Sequence, residues 1–503
     1  MHIREDHNGL NIANNEYIWS GTHTPLTAPA FSAWSRETAS VDTASSGIAT
    51  VDASKSVFIQ NPDLLQSAKT TAQWIESAQK LDARGVHWLA EPDCAVKSIT
   101  ISDASTTYRW ISGTVLFFIQ LAYATGDARY LKTAAKGADY LIAAWQDLFD
   151  KPEESLLSGR GLNLSFCGGL AGIAYVLNET RKATGNEKFR EAARAITDYI
   201  VQAAKSIGSG FAWSDAPGIA GDGSIVLYLL YAAREFNSVL YGITAERAGD
   251  HILEIATNER HGGFSWSGFP AFPGLPQDAY LPSFEDGTAG ITYVFARLYG
   301  ETNKARFLFA AKQGALHLQS IATHDCNAAL ISHPLSDLPD SQYSGFCHGP
   351  AGTARTFFEL YKITREPKYQ ALAERLAQTF LQRSFPENKT PDCNNAVCQC
   401  CGSVAVIDLF IEMWASTGRL DYLASAQRAT RQLVSRKFNL DGKENQKLPV
   451  WPPAKPWGVC AESGYDTGAA GVGSALLHVH LAEQGRYNAI LRLDNPFANQ
   501  GHA

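Results

Sequence analysis

A chain of 503 residues that is 45% hydrophobic and 18% charged has apolar material for a large core, which argues against a disordered protein. Its formal net charge of −7 and pI near 6.0 supply no basic field, which argues against nucleic acid or anionic lipid as partners. No apolar run reaches the roughly 20 residues of a membrane span, and the N-terminus lacks the basic and apolar regions of a secretory signal, so the expected location is cytoplasmic. In chain order, residues 1 to 60 are rich in small polar side chains and read as an irregular or flexible arm, with one domain following from 61 to 503. From about residue 62 the pattern repeats. One kind of segment is a one-sided helix, as in the runs beginning at Gly126, Gly185, Glu301, Arg365 and Gly418, with apolar residues at i, i+3, i+4 and i+7.

The other kind opens on two glycines three apart and runs into a helix that is apolar almost all round. The pairs are Gly169/Gly172, Gly218/Gly221, Gly287/Gly290, Gly349/Gly352 and Gly468/Gly471. Gly402 fills the same slot with Ala405 as its second member, and Ser112-Gly113-Thr114 reads as a weaker first one. Between some of these lie Gly85-Val-His-Trp88, Gly210-Phe-Ala-Trp213 and Gly263-Phe-Ser-Trp266, expected as short β-hairpins on one rim. Helices apolar all round belong inside and one-sided helices outside, so the alternation predicts an all-α, α/α toroid of about seven inner and seven outer helices. Closure is not readable from sequence, and an open solenoid fits the same pattern. In a ring the inner helix N-termini share one face, where their positive dipole ends favour thiolates and other anions. Function is therefore expected in the turns that start the inner helices. Asp222 and Asp466, at such starts, read as helix caps.

Nine cysteines in a chain of this size do not suggest a disulfide framework, and five of them (Cys347, Cys393, Cys398, Cys400, Cys401) fall in one stretch. Phe346-Cys347-His348-Gly349 opens one inner helix, and Cys398-Gln399-Cys400-Cys401-Gly402 opens the next. Neighbouring repeats are neighbours in space, so Cys347, Cys400 and Cys401 are expected to hold one Zn2+ with its fourth position open for a thiol or water. His348 competes as a ligand, or stands beside the metal as a proton-transfer group. Cys94, Cys167 and Cys460 read as small buried hydrophobes.

The glycine-pair helix starts, the Cys-His-Gly-Pro-Ala-Gly turn and the second cysteine turn one repeat later resemble the lanthionine synthetase C-like family. The resemblance covers the chain from about residue 60 to its end, with Cys400-Cys401-Gly402 similar to the family's Cys-Cys-Gly variant. It implies a zinc-bearing toroid that adds peptide cysteine thiols to dehydroalanine or dehydrobutyrine, that is, a lanthionine cyclase. The substrate would be a dehydrated precursor peptide, and a separate dehydratase would prepare it. Two positions depart from the family: Asp286 stands where a proton-handling histidine is common, and Tyr343 where arginine is common. Asp286 and His348 are therefore the expected catalytic acid and base residues, with helix capping the competing reading for Asp286. Other readings compatible with the sequence are a relative that joins glutathione to dehydroamino acids and a non-catalytic protein that keeps zinc for structure. A toroidal carbohydrate-active enzyme is a third, and it would leave the cysteines without a role.

Overall fold

Fourteen α-helices alternate between two rings among the described residues. The computed structural model describes residues 63–90, 104–148, 162–267, 280–325, 327–331, 345–382, 397–400, 402–435, 438–441, 447–450 and 461–497. These belong to one unit, Ile59–Gln500. The arm expected over residues 1 to 60 lies outside the described residues, as do Cys94, Tyr343, Cys393, Cys401 and Cys460.

The inner ring is α2 (Ala104–Thr125), α4 (Leu170–Thr184), α6 (Asp222–Glu235), α8 (Thr288–Thr302), α10 (Pro350–Thr364), α12 (Ser403–Thr417) and α14 (Ala469–Glu483). Each packs on the next, and α14 returns to pack on α2, so the ring is closed. Outside it stand α1 (Leu64–Ser77), α3 (Ala128–Ala144), α5 (Glu187–Gln202), α7 (Val239–Glu254), α9 (Ala305–Ile321), α11 (Pro367–Gln382) and α13 (Leu420–Ser435). Every outer helix pairs with the inner helix before it in the chain, except α1, which packs on α14 and completes the outer ring.

The two kinds of helix are built as their sequences dictate. In α5 the buried residues Phe189, Ala193, Ile196, Thr197 and Ile200 make one stripe at helical spacing. In α10 every residue from Pro350 to Leu360 is buried. Among the described residues, five antiparallel hairpins join outer helices to the inner helices that follow, so they share the rim of the inner helix N-termini. They are β1–β2 (Gln79–Asp82, Gly85–Trp88), β3–β4 (Lys205–Ile207, Gly210–Ala212), β5–β6 (Thr257–Asn258, Phe264–Ser265), β7–β8 (Thr323–Asp325, Ala328–Leu330) and β9–β10 (Phe438–Asp441, Lys447–Val450). The Gly-x-x-Trp elements fall on the first three. Trp213 and Trp266 pin their hairpins by donating from Nε1 to the carbonyls of Ile200 and Ile252, both at 2.7 Å.

Two inner helices begin elsewhere than the glycine pattern predicts. α2 starts at Ala104, so Ser112-Gly113-Thr114 lies within it rather than in a turn. Gly113 is there for packing, because a Cβ on it would drive into Tyr465. α6 is capped by Gly221, the second glycine of its pair, and starts at Asp222.

The C-terminal segment after α14 fills the middle of the inner ring. Leu491 N donates to Gln120 Oε1 on α2 (3.1 Å), and Leu493 lies against Gly172 on α4. Phe497 lies beneath the Arg297 guanidinium of α8. Two of its charged residues, Arg492 and Asp494, enter an ionic network. Arg492 reaches Asp408 and Glu412 of α12 at 3.6 and 3.3 Å, and Asp494 reaches Arg355 of α10 at 3.0 Å. Arg355 also pairs with Glu412 at 3.3 Å. His478 of α14 bonds Asp408 through Nδ1 at 2.7 Å.

Candidate metal centre

Each inner helix from α8 to α14 starts on an N-cap glycine: Gly287, Gly349, Gly402 and Gly468. The preceding turn folds back under the helix start. A Cβ at the second glycine of the pair would collide with the carbonyl of the residue six earlier: Phe284 for Gly290, Phe346 for Gly352, Tyr465 for Gly471. This close approach is what the glycine pair is for.

Folded in this way, the turns bond to one another around the ring. Asp466 O accepts from Cys400 N at 3.1 Å. Cys400 O accepts from Phe346 N (2.9 Å) and Cys347 N (3.4 Å), and Cys347 O accepts from Phe284 N (3.0 Å) and Glu285 N (3.1 Å). Glu285 O in turn accepts from Ala220 N at 2.9 Å. Asp466, Cys400, Cys347 and Glu285 all stand two residues before an N-cap glycine. The ladder therefore stacks the same register position of four successive repeats.

That register brings the side chains together. Cys347 Sγ and Cys400 Sγ are 2.6 Å apart, and Cys347 is buried. The ligand atoms of Glu285, Cys347 and Cys400 all lie within 4.8 Å of one another. A second group, Glu285, Asp286 and His348, satisfies the same limit. Of the five site residues expected from sequence, Cys347 and Cys400 meet directly, while Asp286 and His348 meet beside them. Cys401 lies outside the described residues. His348 groups with the two carboxylates, not with the sulfur pair.

Burial governs the ionisation of this corner. It pushes the Asp286 carboxyl well above the usual carboxylate range, and the neighbouring charge of Glu285 pushes it further. Burial lowers the His348 imidazole, with the charge of Glu285 opposing. No ion pair among the described residues reaches Glu285 or Asp286. A concentration of acceptors and thiols without a side-chain counter-charge, at the positive ends of inner helices, is suited to a cation. Tetrahedral zinc with bonds of about 2.3 Å places two sulfurs ~3.8 Å apart, so Cys347 and Cys400 would separate by about 1 Å to take it.

Asp286 stands one residue outside the N-cap of α8, Gly287, and no capping bond from it is present. The capping expectation for Asp222 is corrected too. Its carboxylate accepts from Trp213 N (3.0 Å) and Ser214 Oγ (2.6 Å), so it ties the β3–β4 hairpin to α6. Asp466 likewise lies outside its N-cap, Gly468, and contributes its carbonyl to the ladder. Glu285 was the residue sequence reading passed over. Its register, two before an N-cap glycine and shared with both cysteines, was the signal available.

A closed double ring of helices, with Cys347 and Cys400 meeting on the rim of its inner-helix N-termini, defines an α/α toroid. A family model, lanthionine synthetase C-like protein, matches residues 102–480, and the chain belongs to that family. Nisin cyclase aligns with a TM-score of 0.54 at 13% identity, over 87% of this chain and 98% of its own. At that identity the likeness is one of fold. Two further solved structures align more loosely. One is an inactive variant of the α-1,6-mannanase of Salegentibacter sp. HEL1_6 in complex with α-1,6-mannotetrose (TM-score 0.41, 13% identity, 84% and 99% covered). The other is an unsaturated glucuronyl hydrolase specific for heparin (0.43, 12%, 84% and 98%). A search of the curated proteins finds no match. No helix among the described residues is long and apolar enough to cross a membrane.

Proposed function

We propose that this chain is a cytoplasmic, zinc-dependent lanthionine cyclase, joining cysteine thiols of a dehydrated precursor peptide to dehydroalanine or dehydrobutyrine. One observation carries the reading: in a member of this family, Cys347 and Cys400 from adjoining inner-helix turns place their sulfurs 2.6 Å apart. Cys347, Cys400 and Cys401 would hold the zinc, Cys401 being the residue between Cys400 and the N-cap Gly402. When bound, the ion keeps a coordinated thiol deprotonated near neutral pH, where a free thiol of pKa about 8.5 is mostly protonated.

The chain's own residues do the rest. The ladder fixes the two turns so that the substrate sulfur is held at one place. A bond forms from that sulfur to the β-carbon of the dehydroamino acid, and the double-bond electrons move to the adjoining carbonyl as an enolate. Asp286, kept protonated by burial and by Glu285, donates its proton to the α-carbon. His348, kept neutral by burial, returns the proton released by the thiol to Asp286. The net reaction is an isomerisation, with one carbon–sulfur and one carbon–hydrogen bond made. Dehydration of the precursor then falls to a separate dehydratase.

The test is a model peptide carrying one cysteine and one dehydroalanine, followed by loss of alkylatable thiol at unchanged mass. The parent is expected to bind zinc and cyclise the peptide. Cys347→Ala is expected to lose both, and Asp286→Asn to keep zinc and slow closure by about 10²-fold or more, the scale of one acid–base residue. A parent without zinc, or a Cys347→Ala variant that keeps both properties, overturns the reading.

A further inference from the structure

Glu285 has no part in the chemistry above beyond its charge, yet it lies in the midst of the site. It occupies the same register position as Cys347 and Cys400, two before an N-cap glycine, and its own backbone N–H is bonded to the carbonyl of Cys347. Three successive turns thus present Glu, Cys and Cys at one place, with ligand atoms all within 4.8 Å of one another. Around tetrahedral zinc with Zn–S about 2.3 Å and Zn–O about 2.0–2.2 Å, sulfur and oxygen ligands stand ~3.5 Å apart, so the carboxylate reaches without movement of the backbone. The carboxylate's other neighbours are Asp286 and His348, also within 4.8 Å, and this second group does not include the sulfurs.

We propose that Glu285 closes the fourth coordination position of the centre when no substrate thiol is present, and is displaced by that thiol to the side of His348. This rests on the zinc reading above and adds a gate to it. Displacement follows from ligand chemistry. A centre already carrying three thiolates has a net negative charge that weakens a further anionic oxygen, and zinc among sulfurs prefers a fourth sulfur to a carboxylate. Capping does not explain Glu285, because Gly287 caps α8 and Glu285 stands two residues outside it. Nor does a salt bridge, since no ion pair among the described residues reaches it.

Cobalt(II) in place of zinc reports this without turnover. The apo protein is reconstituted with Co2+ and titrated with 2-mercaptoethanol, which brings a thiol and no acceptor. In the parent, the thiol is expected to add a sulfur-to-cobalt charge-transfer band while the ligand-field bands shift. In Glu285→Gln the ligand-field bands before thiol are expected to differ from the parent's. The thiol should then bind about tenfold tighter, as expected where the competing carboxylate leaves the position open about a tenth of the time. Glu285→Asp, which draws the carboxylate back by one methylene, is expected to fall between. Identical spectra and thiol affinities in the parent and in the folded variants overturn the gate while leaving the zinc reading in place. Cobalt bound with unchanged charge transfer in Cys347→Ser overturns the zinc reading and the gate with it.

Discussion

Two clusters of ionisable side chains lie within the same ring, and they are built on opposite principles. In the interior network, Arg355 and Arg492 are interleaved with Asp408, Glu412 and Asp494, each acid within 3.6 Å of a guanidinium. Burial would raise the Asp408 carboxyl, but Arg492 and His478 outweigh it and bring it down to about 2. On the rim, Asp286 is raised by burial with Glu285 adding to the rise. One cluster has satisfied its charges from within the chain. The other gathers thiols and carboxylates with no ion pair to Glu285 or Asp286 among the described residues, the arrangement on which the zinc proposal rests. Buried ionisable groups are therefore informative less by their number than by whether their partners are already present.

Removing a member of each cluster separates the two. Cys347→Ala or Cys400→Ala is expected to take zinc from about one per chain to almost none, because each removes one of the thiolates on which the affinity for zinc rests. The fold should persist, since the ladder between the turns is made of backbone. Arg492→Met is expected to do the reverse. It leaves Asp408 and Glu412 short of a buried counter-charge, at a cost of about 3–5 kcal/mol, read as a lower urea midpoint, while the folded fraction keeps its metal.

The same contrast has a pH signature. Asp408 titrates at about 2 in the folded chain against a usual 3.8. A depressed carboxylate contributes stability in full above its unfolded pKa and loses it as pH falls through the folded one. The shift corresponds to roughly 2 kcal/mol, lost between about pH 4 and pH 2. Asp222 has the opposite sign. Burial raises it to about 6 despite its bonds to Trp213 and Ser214, so its ionisation works against folding as pH rises from about 4 to 6. Asp408→Asn should flatten acid unfolding below pH 4, and Asp222→Asn should flatten the loss of stability between pH 4 and 6, both measured by urea titration at fixed pH.

The rim was far more legible in the sequence than the interior. Apolar periodicity separated inner from outer helices, and the glycine pairs marked the turns, because both follow from local geometry. Closure through α1 and α14 depends on a contact between the two ends of the ring, and no local pattern carries it. Three hairpins showed in the spacing Gly-x-x-Trp. Those at 323–330 and 438–450 have no such tryptophan, and the pattern passed them over. Glu285 went unread because family comparison drew attention to its neighbour Asp286, while the register it shares with Cys347 and Cys400 lies in its own chain. Residues 490–497, ILRLDNPF, carry no repeat or motif that marks them as interior. Their burial rests on partners such as Asp408, which lies 84 residues before Arg492.

The smallest effect tests how the rim is built. Gly300 and Gly352 both lie in inner helices, and one methyl group should move them in opposite directions. At Gly300, near the exposed end of α8, an added Cβ meets only Ile363 at ordinary contact distance. Gly300→Ala should therefore stabilise by about 0.4–1 kcal/mol through the lower entropy of the unfolded chain. At Gly352 the same Cβ collides with the carbonyl of Phe346 and crowds the ring of Phe284. Gly352→Ala should cost about 1–3 kcal/mol, as overpacking does. Phe346 immediately precedes Cys347, and its N–H bonds the carbonyl of Cys400, so the displaced turn carries one sulfur away from the other. Zinc affinity is thus expected to fall in Gly352→Ala and to hold in Gly300→Ala, measured by competition with a chelator. Equal affinity in both variants would mean that the glycine pair serves helix packing alone and leaves the metal centre untouched.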